Sequence, residues 1–402
     1  MDWSYRTCIN PDFMYLDQIR DQFKSLFGQE PLLVQSPGRI NVIGEHTDYN
    51  EGWVLPAAID KYMVLAIAPN GSNGHSRFFS WDQKEYIEIN LPVLEPQPQR
   101  GWINHLLGVV YELEQMGAKI PGFNLVFGGD IPIGAGLSSS AALECALALG
   151  LNELFHLGFD RIDLVKASQL AEHHFVGVQC GIMDMFASMM GQRDKALRLD
   201  CRTLETQLIP LELGDYQLLL CDTGVKHALA SSEYNTRRQE CETGVRCMQI
   251  LDPDVRSLRD ASLSLLQSCK DQLPEVVYRR CRYVLEENRR LQAACNAMEQ
   301  DNLAALGELL YQSHHGLQHD YEVSCPELDW LVDQTRRHEA ILGARMMGGG
   351  FGGCTLNLIR KDFTETFVAG ILKPYQEQFN LQLKSYVVTT GQGTHLIDRG
   401  DY

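Results

Sequence analysis

The sequence predicts a mixed fold of helices and strands arranged in about two or three domains, and three observations predict it. Its 402 residues exceed one ordinary domain, which holds roughly 100–200. Hydrophobic residues make up 45% and charged residues 22%, which allows well-buried cores and excludes disordered or collagen-like chains. The apolar pattern also changes along the chain, from short runs between turn residues to long stretches with helical spacing.

The runs LLVQS, RINVIG, VLPAAI and YMVLAIAP follow one another from Leu32 to Pro69, so the N-terminal part is expected to start as sheet. Helical spacing takes over at 102–116. It returns at 137–155, after a strand at 123–127, and continues through 162–175 and 182–190. The segment 196–211 and a strand-like YQLLLCD lead into helical patterns at 231–251, 274–298, 302–318 and 326–339. The end alternates again, with ARMM, a glycine cluster, CTLNLIR, a helix near 363–379 and LKSYVV. This change of character places a domain boundary near residue 195, dividing 1–195 from 196–402. PVLEPQPQR (92–100) is Pro-rich and polar, as surface loops are. No internal repeat or low-complexity tract is visible.

Lys and Arg number 35 against 52 Asp and Glu, a formal charge of −17. That charge opposes non-specific attraction to nucleic acid or anionic lipid, and no basic patch is visible, so neither is an expected partner. No apolar run reaches the roughly 18–20 residues of a membrane span, and MDWSYRTCIN lacks a signal-peptide layout. The twelve cysteines are scattered with no C-x-x-C spacing, which fits free thiols in the cytoplasm.

Two glycine clusters stand out. In GGDIPIGAGLSSSAALECA (128–146), Gly134 and Gly136 precede three serines that open a helical run rich in Ala and Leu. A glycine turn feeding a helix start is a ready anion site, because backbone N–H groups and the helix dipole face the ligand. No acidic residue appears before Glu144, unlike an ordinary helix start. An ordinary Ser N-cap is the plain alternative. No Lys follows the glycines, so this is no Walker loop. The second cluster, GGGFGG (348–353), formally fits G-x-G-x-x-G, yet strand-like CTLNLI follows it where a dinucleotide fold needs a helix. What remains is a strand–loop–strand whose glycines let the backbone approach a ligand or the other domain.

Polar residues concentrate in two places. PGRINVIGEHTDYNEGWVLP (37–56) sets Arg39, Glu45, His46, Asp48, Tyr49 and Asn50 in one tight stretch, a supply of donors and acceptors suited to sugar hydroxyls. A solvated polar loop is its bland reading. EHHFVGVQCGIMDMFASMMG (172–191) holds Glu172 on one helix and Asp184 just inside the next, followed by the apolar Met185, Phe186, Met189 and Met190. Capping explains Asp184 plainly; a general base or Mg²⁺ ligand held against a pocket is the sharper reading. His315 and His319 stand four apart with His314 beside them, but no third partner follows, so a polar helix face is preferred to zinc. The same holds for His173 and His174.

In order, GRINVIGEHTDYN, GAGLSSSAALE and GGGFGG resemble the galactokinases, within the family that also holds homoserine, mevalonate and phosphomevalonate kinases. CGIMDMFASMMG and SSEYNTRRQECETG (231–244) extend the resemblance over nearly the whole chain. It implies an α+β fold of two domains with the active site in the cleft between them. It further implies that Glu45, His46, Thr47 and Asp48, with Gly181 and Tyr234, bind galactose. Asp184 is implied as the base or orienting anion and Arg39 as the stabiliser of the transferring phosphoryl group. Gly134, Ala135, Gly136, Leu137, Ser138, Ser139 and Ser140 would wrap the phosphates of ATP, with Ser140 and Glu172 holding Mg²⁺. The chain is expected to act as a monomer.

Departures are few. Met185 stands where Gln is more usual, and Thr223-Gly224-Val225-Lys226 replaces an Asn/Ser-rich stretch, with Lys226 a weak candidate for the phosphates. The alternatives are a kinase for N-acetylgalactosamine or arabinose, and a non-catalytic galactose and ATP sensor. Retained Asp184, Arg39 and GLSSSAA speak against the sensor.

Overall fold

The computed structural model describes residues 11–91, 94–97, 101–132, 134–225 and 230–397, without the side chains of 11–14, 230 and 231. Lys226 and much of the 92–100 loop lie outside the described residues. The described chain does not start as sheet. It starts with the helix Pro11–Phe27, whose Leu16, Ile19 and Phe23 form one buried stripe against Leu33, Val64 and Val126.

That helix covers a six-stranded sheet ordered His395–Leu396, Leu32–Asn41, Pro56–Pro69, Phe123–Gly129, His75–Ser80, Glu85–Asn90. All its pairings are antiparallel except that of His75–Ser80 with Phe123–Gly129. LLVQS and RIN are one strand rather than two, running through Pro37, which has no N–H for the ladder. The register shifts between Pro37 and Arg39, and the Arg39 N–H donates instead to the Leu137 carbonyl at 3.1 Å. This bulge ties the first strand to the glycine- and serine-rich segment 134–140. A Cβ on Gly38 would lie 2.8 Å from that carbonyl, so the approach needs glycine.

The helix Ser139–Leu154 lies on the opposite face, with Gly150 against Val34, Leu65 and Ile67. Gly101–Gln115 crosses the end of Arg161–Ala171, where a Cβ on Gly108 would meet the Ala171 Cβ at 2.7 Å. The segment 196–211 holds two strands: Lys195–Asp200 pairs with Trp53–Val54 and with Thr206–Pro210. A second sheet, ordered Ile341–Met346, Cys354–Arg360, Tyr216–Asp222, Lys384–Val388, packs with the helices Pro326–Thr335 and Thr364–Phe379. Ala230–Leu251, Glu275–Glu299 and Leu303–His319 enclose a core that includes Cys241, Met248, Tyr283 and Tyr321. Chain from both sides of residue 195 shares two sheets, because Lys195–Asp200 pairs with Trp53–Val54 and His395–Leu396 with the first strand.

Three strands escaped the sequence reading: His75–Ser80, Glu85–Asn90 and His395–Leu396. In HSRFFS the buried face carries Ser76, Phe78 and Ser80, so the apolar alternation that marks a strand is absent. The helix predicted to 339 stops at Thr335, and Met190 is only partly buried. Met185, Phe186 and Met189 are buried, as expected. All eleven cysteines among the described residues are free. No helix among the described residues is long and apolar enough to cross a membrane.

Candidate active site

Arg39 emerges from the bulged strand almost fully buried and grips Asp184 with two N–H groups, Nε to Oδ1 at 2.7 Å and Nη2 to Oδ2 at 2.9 Å. Its Nη1 donates to the Gly136 carbonyl at 2.6 Å. Burial pulls its pKa down, but the charge and hydrogen bonds of Asp184 outweigh that and raise it, so the guanidinium stays cationic. Ser138 occupies the N-cap position in a left-handed conformation (φ 58°) and caps nothing. Its hydroxyl donates to Asp184 Oδ2 at 2.5 Å. The plain capping reading of the serines therefore fails at Ser138. The first N–H groups of the helix keep no side-chain cap from it. Ala135 and Leu137 are buried apolar side chains, so this loop can offer a ligand its backbone and serines only.

The strand–loop–strand around GGGFGG is present, and its backbone meets the first glycine loop: a Cβ on Gly353 would lie 3.4 Å from the Ala135 carbonyl. The Rossmann reading fails on structure as it did on context.

The polar stretch after the first strand is a buried turn. Glu45 is 2% exposed and paired with Arg345, whose Nη2 donates to Oε1 at 2.8 Å, while the Gly348 N–H donates to the same oxygen at 2.8 Å. His46 has a left-handed backbone (φ 61°), and burial lowers its pKa to about 3. Its imidazole is therefore neutral. With Nε2 donating to the Gly349 carbonyl at 3.2 Å, Nδ1 must accept from the Tyr49 hydroxyl at 2.9 Å. Tyr321 in turn donates to Tyr49 at 2.6 Å. Burial first, and then the charge of Asp184, raise Asp48 to about 7. A Cβ on residue 181 would sit 1.9 Å from Asp48 Oδ2, which accounts for Gly181.

Thr47 corrects the sequence expectation. Its hydroxyl donates to the Gly44 and Trp53 carbonyls at 2.9 and 2.6 Å, so it braces the turn and does not line the cavity. Asn50 braces it too, donating to the His46 carbonyl. The turn is anchored from the helix Glu275–Glu299, where Glu287 accepts from the Gly44 N–H and Asn288 from the Trp53 N–H, each at 3.0 Å.

These elements surround a cavity of about 350 Å³ whose lining includes Arg39, Asp48, Asp184, Tyr234, Ser140 and Glu172. A second cavity of about 210 Å³ shares Ser140 and His105 with the first and adds Met63, Trp102 and Phe127. Between the two, three helical segments bring His105, Glu144 and Glu172 together, their ligand atoms within 4.8 Å of one another. His105 Nδ1 lies 2.7 Å from Glu144 Oε1 and 3.5 Å from Glu172 Oε1. Burial first, and then the Glu172 charge, push the Glu144 carboxyl well above its ordinary range, while burial lowers the His105 imidazole. Glu144 Oε2 is buried with no hydrogen-bond donor, so a cation fits the chemistry of this corner. The histidines set aside in the sequence do other work. His314 is buried, its Nδ1 accepting from the Met346 N–H at 3.2 Å, so a polar face does not describe it. His173 and His174 bond to the Cys180 carbonyl and to Glu112.

The description "Galactokinase galactose-binding signature" matches residues 21–69, and the N-terminal and C-terminal domains of the GHMP kinases match 104–192 and 291–371. A galactokinase of Thermosipho africanus is 41% identical over 361 residues, 90% of this chain and 98% of its own. The chain belongs to the galactokinase family. A Bacillus subtilis member is 38% identical over 94% of this chain and 98% of its own. The solved Lactococcus lactis galactokinase, in complex with galactose, superposes with a TM-score of 0.90 at 36% identity, over 94% of this chain and 99% of its own. Methanococcus jannaschii mevalonate kinase, at 16% identity and TM-score 0.62, covers 90% of this chain and 99% of its own and shares the fold alone. The α+β architecture is thus that of a galactokinase.

Of the residues singled out in the sequence, Arg39, Glu45, His46, Asp48, Ser140, Glu172, Gly181, Asp184 and Tyr234 line the first cavity, Ser139 and Ser140 line the second, and Thr47 and residues 134–138 line neither. Sequence reasoning missed Arg345, His105 and the buried Glu144. Arg345 sits in ARMM, which reads as strand, and its partner Glu45 is 300 residues away. A buried position for a charged residue inside a strand is the signal that could have exposed it.

Proposed function

We propose that this protein transfers the γ-phosphoryl group of ATP to the O1 hydroxyl of D-galactose, making galactose 1-phosphate and ADP. One observation carries the reading: Asp184, held by Arg39 and Ser138, faces the same cavity as Asp48, His46 and Tyr234. The solved relative's complex with galactose supports a sugar there.

In this reading Asp48 accepts hydrogen bonds from sugar hydroxyls, and Gly181 leaves the space for its carboxylate. His46, Glu45 and Tyr234 complete the wall, and buried hydrogen-bonding groups of this kind discriminate strongly between epimers. Asp184 orients the O1 hydroxyl and takes its proton as the O1–phosphorus bond forms and the bond to ADP breaks. Arg39, kept cationic, stabilises charge on the transferring group. The backbone of residues 134–140 and the open helix start hold the phosphates. The second cavity, walled by Met63, Trp102 and Phe127, suits the nucleotide base. Ser140 and Glu172 would hold Mg²⁺, which when bound supplies positive charge to the phosphates. Residues 1–195 and 196–402 serve as the two domains, with the final strand returning to the first.

The test is ADP release from ATP and Mg²⁺ against galactose, glucose, N-acetylgalactosamine, arabinose, homoserine and mevalonate. Turnover confined to galactose and close analogues is the expected outcome. No turnover on any of them, alongside galactose binding by calorimetry, would overturn the kinase reading in favour of a sensor.

A further inference from the structure

The corner between the two cavities holds more than the two residues assigned to Mg²⁺. Glu144 stands one turn after Ser140 on the same helix, so both side chains share a face. Its side chain is 0% exposed and its Oε2 has no donor, a costly arrangement inside a protein. Glu172 arrives at the end of the helix Arg161–Ala171 and His105 from Gly101–Gln115, held close by the Gly108–Ala171 contact. Among the described residues this is where three such side chains bring ligand atoms within 4.8 Å of one another. The two carboxyl groups and the imidazole make a mixed oxygen and nitrogen donor set.

We propose that His105 is a nitrogen ligand of the divalent cation held beside Ser140 and Glu172, with Glu144 as a further oxygen ligand, so that the site selects first-row transition cations such as Mn²⁺ over Mg²⁺. Magnesium takes oxygen ligands and keeps several waters, whereas an imidazole nitrogen favours the first-row divalent series, of which Mn²⁺ is the weakest member. A neutral imidazole always leaves one nitrogen lone pair free; moving the ring proton from Nδ1 to Nε2 turns Nδ1 toward the cation without changing the proton count. The inference rests on the reading of Glu172 as a cation ligand.

The test uses the full-length protein with Mn²⁺ alone as the probe. Electron spin-echo modulation reads nitrogen coupled to the bound ion, and titrations give the dissociation constants for Mn²⁺ and Mg²⁺. We expect imidazole nitrogen modulation in the native protein and its loss in His105→Gln, which keeps a donor for Glu144. The Mn²⁺ dissociation constant should rise about 10–100-fold in that variant, with a much smaller change for Mg²⁺. Thermal melts of His105→Gln and Glu172→Gln confirm that each is folded. If Glu172→Gln weakens Mn²⁺ binding but no nitrogen modulation appears, or His105→Gln weakens both cations equally, the His105 ligand is overturned and Glu172 stands. If Glu172→Gln leaves Mn²⁺ affinity unchanged, or Mn²⁺ does not bind, the cation site itself is misplaced and this inference falls with it.

Discussion

Two buried arginines each grip one carboxylate at this cleft, and they use their remaining N–H groups differently. Arg345, 0% exposed, bonds to Glu45 and also donates to the carbonyls of Val42, Met346 and Asn41. That pair locks the turn after the first strand to the strand Ile341–Met346. Arg39 gives two N–H groups to Asp184 and one to Gly136, and Asp184 remains 30% exposed at the cavity. Identical chemistry thus makes a closed brace in one place and leaves a carboxylate facing the cavity in the other. Access of the carboxylate decides which.

The sharpest break of this comparison lies at Asp184. Asp184→Ala should lower kcat by about 10²–10⁴-fold, the range for a positioned proton acceptor, while galactose binding by calorimetry stays largely intact. Full steady-state activity would remove Asp184 from the chemistry. At the brace, Arg345→Met should cost about 3–5 kcal/mol of stability, because it leaves Glu45 buried and unpaired. Chemical denaturation reads that loss, and an unchanged midpoint would show that the pair carries no structural load. Glu45→Ala should therefore weaken galactose KM and lower stability together, whereas Asp184→Ala acts on kcat.

This difference explains what the sequence could show. The glycine turn and helix start at 134–140 were legible because their glycines and serines lie within a few residues. The Glu45 brace was not, since its partner comes from a strand 300 residues away and strand patterning gives no hint of a buried guanidinium. His105 and Glu144 were invisible for the same reason: each sits in an ordinary helical pattern, and only the packing of three helices brings them to Glu172. Thr47 misled in the opposite way. Its place in a motif implied sugar contact, but its hydroxyl closes the turn that presents Asp48. The first helix and the strand His75–Ser80 escaped because one precedes the apolar runs and the other buries serines.

A smaller effect sharpens the sugar side. Gly181→Ala places a methyl carbon 1.9 Å from Asp48 Oδ2, so the carboxylate must turn out of its position. Galactose KM should rise about tenfold, equivalent to about 1.4 kcal/mol, with kcat at saturation less affected. An unchanged KM would detach Asp48 from the sugar.

The mildest prediction concerns protons. Asp48 carries a pKa raised to about 7, from burial first and then the neighbouring Asp184 charge. Sugar hydroxyls donate to its anion, so binding favours the ionised form, and galactose KM should fall as pH rises through about 7 and then level off. One unit below that midpoint only about a tenth of the carboxyl is ionised, so KM near pH 6 should be about tenfold above its plateau. His46 does not supply this dependence, because burial lowers its pKa to about 3 and it stays neutral throughout. Arg39, raised by its Asp184 partner, stays charged. Asp48→Asn should therefore raise the plateau and flatten the profile. A slope that persists in that variant would assign the proton to another group and make Asp48, like Glu45, part of the brace.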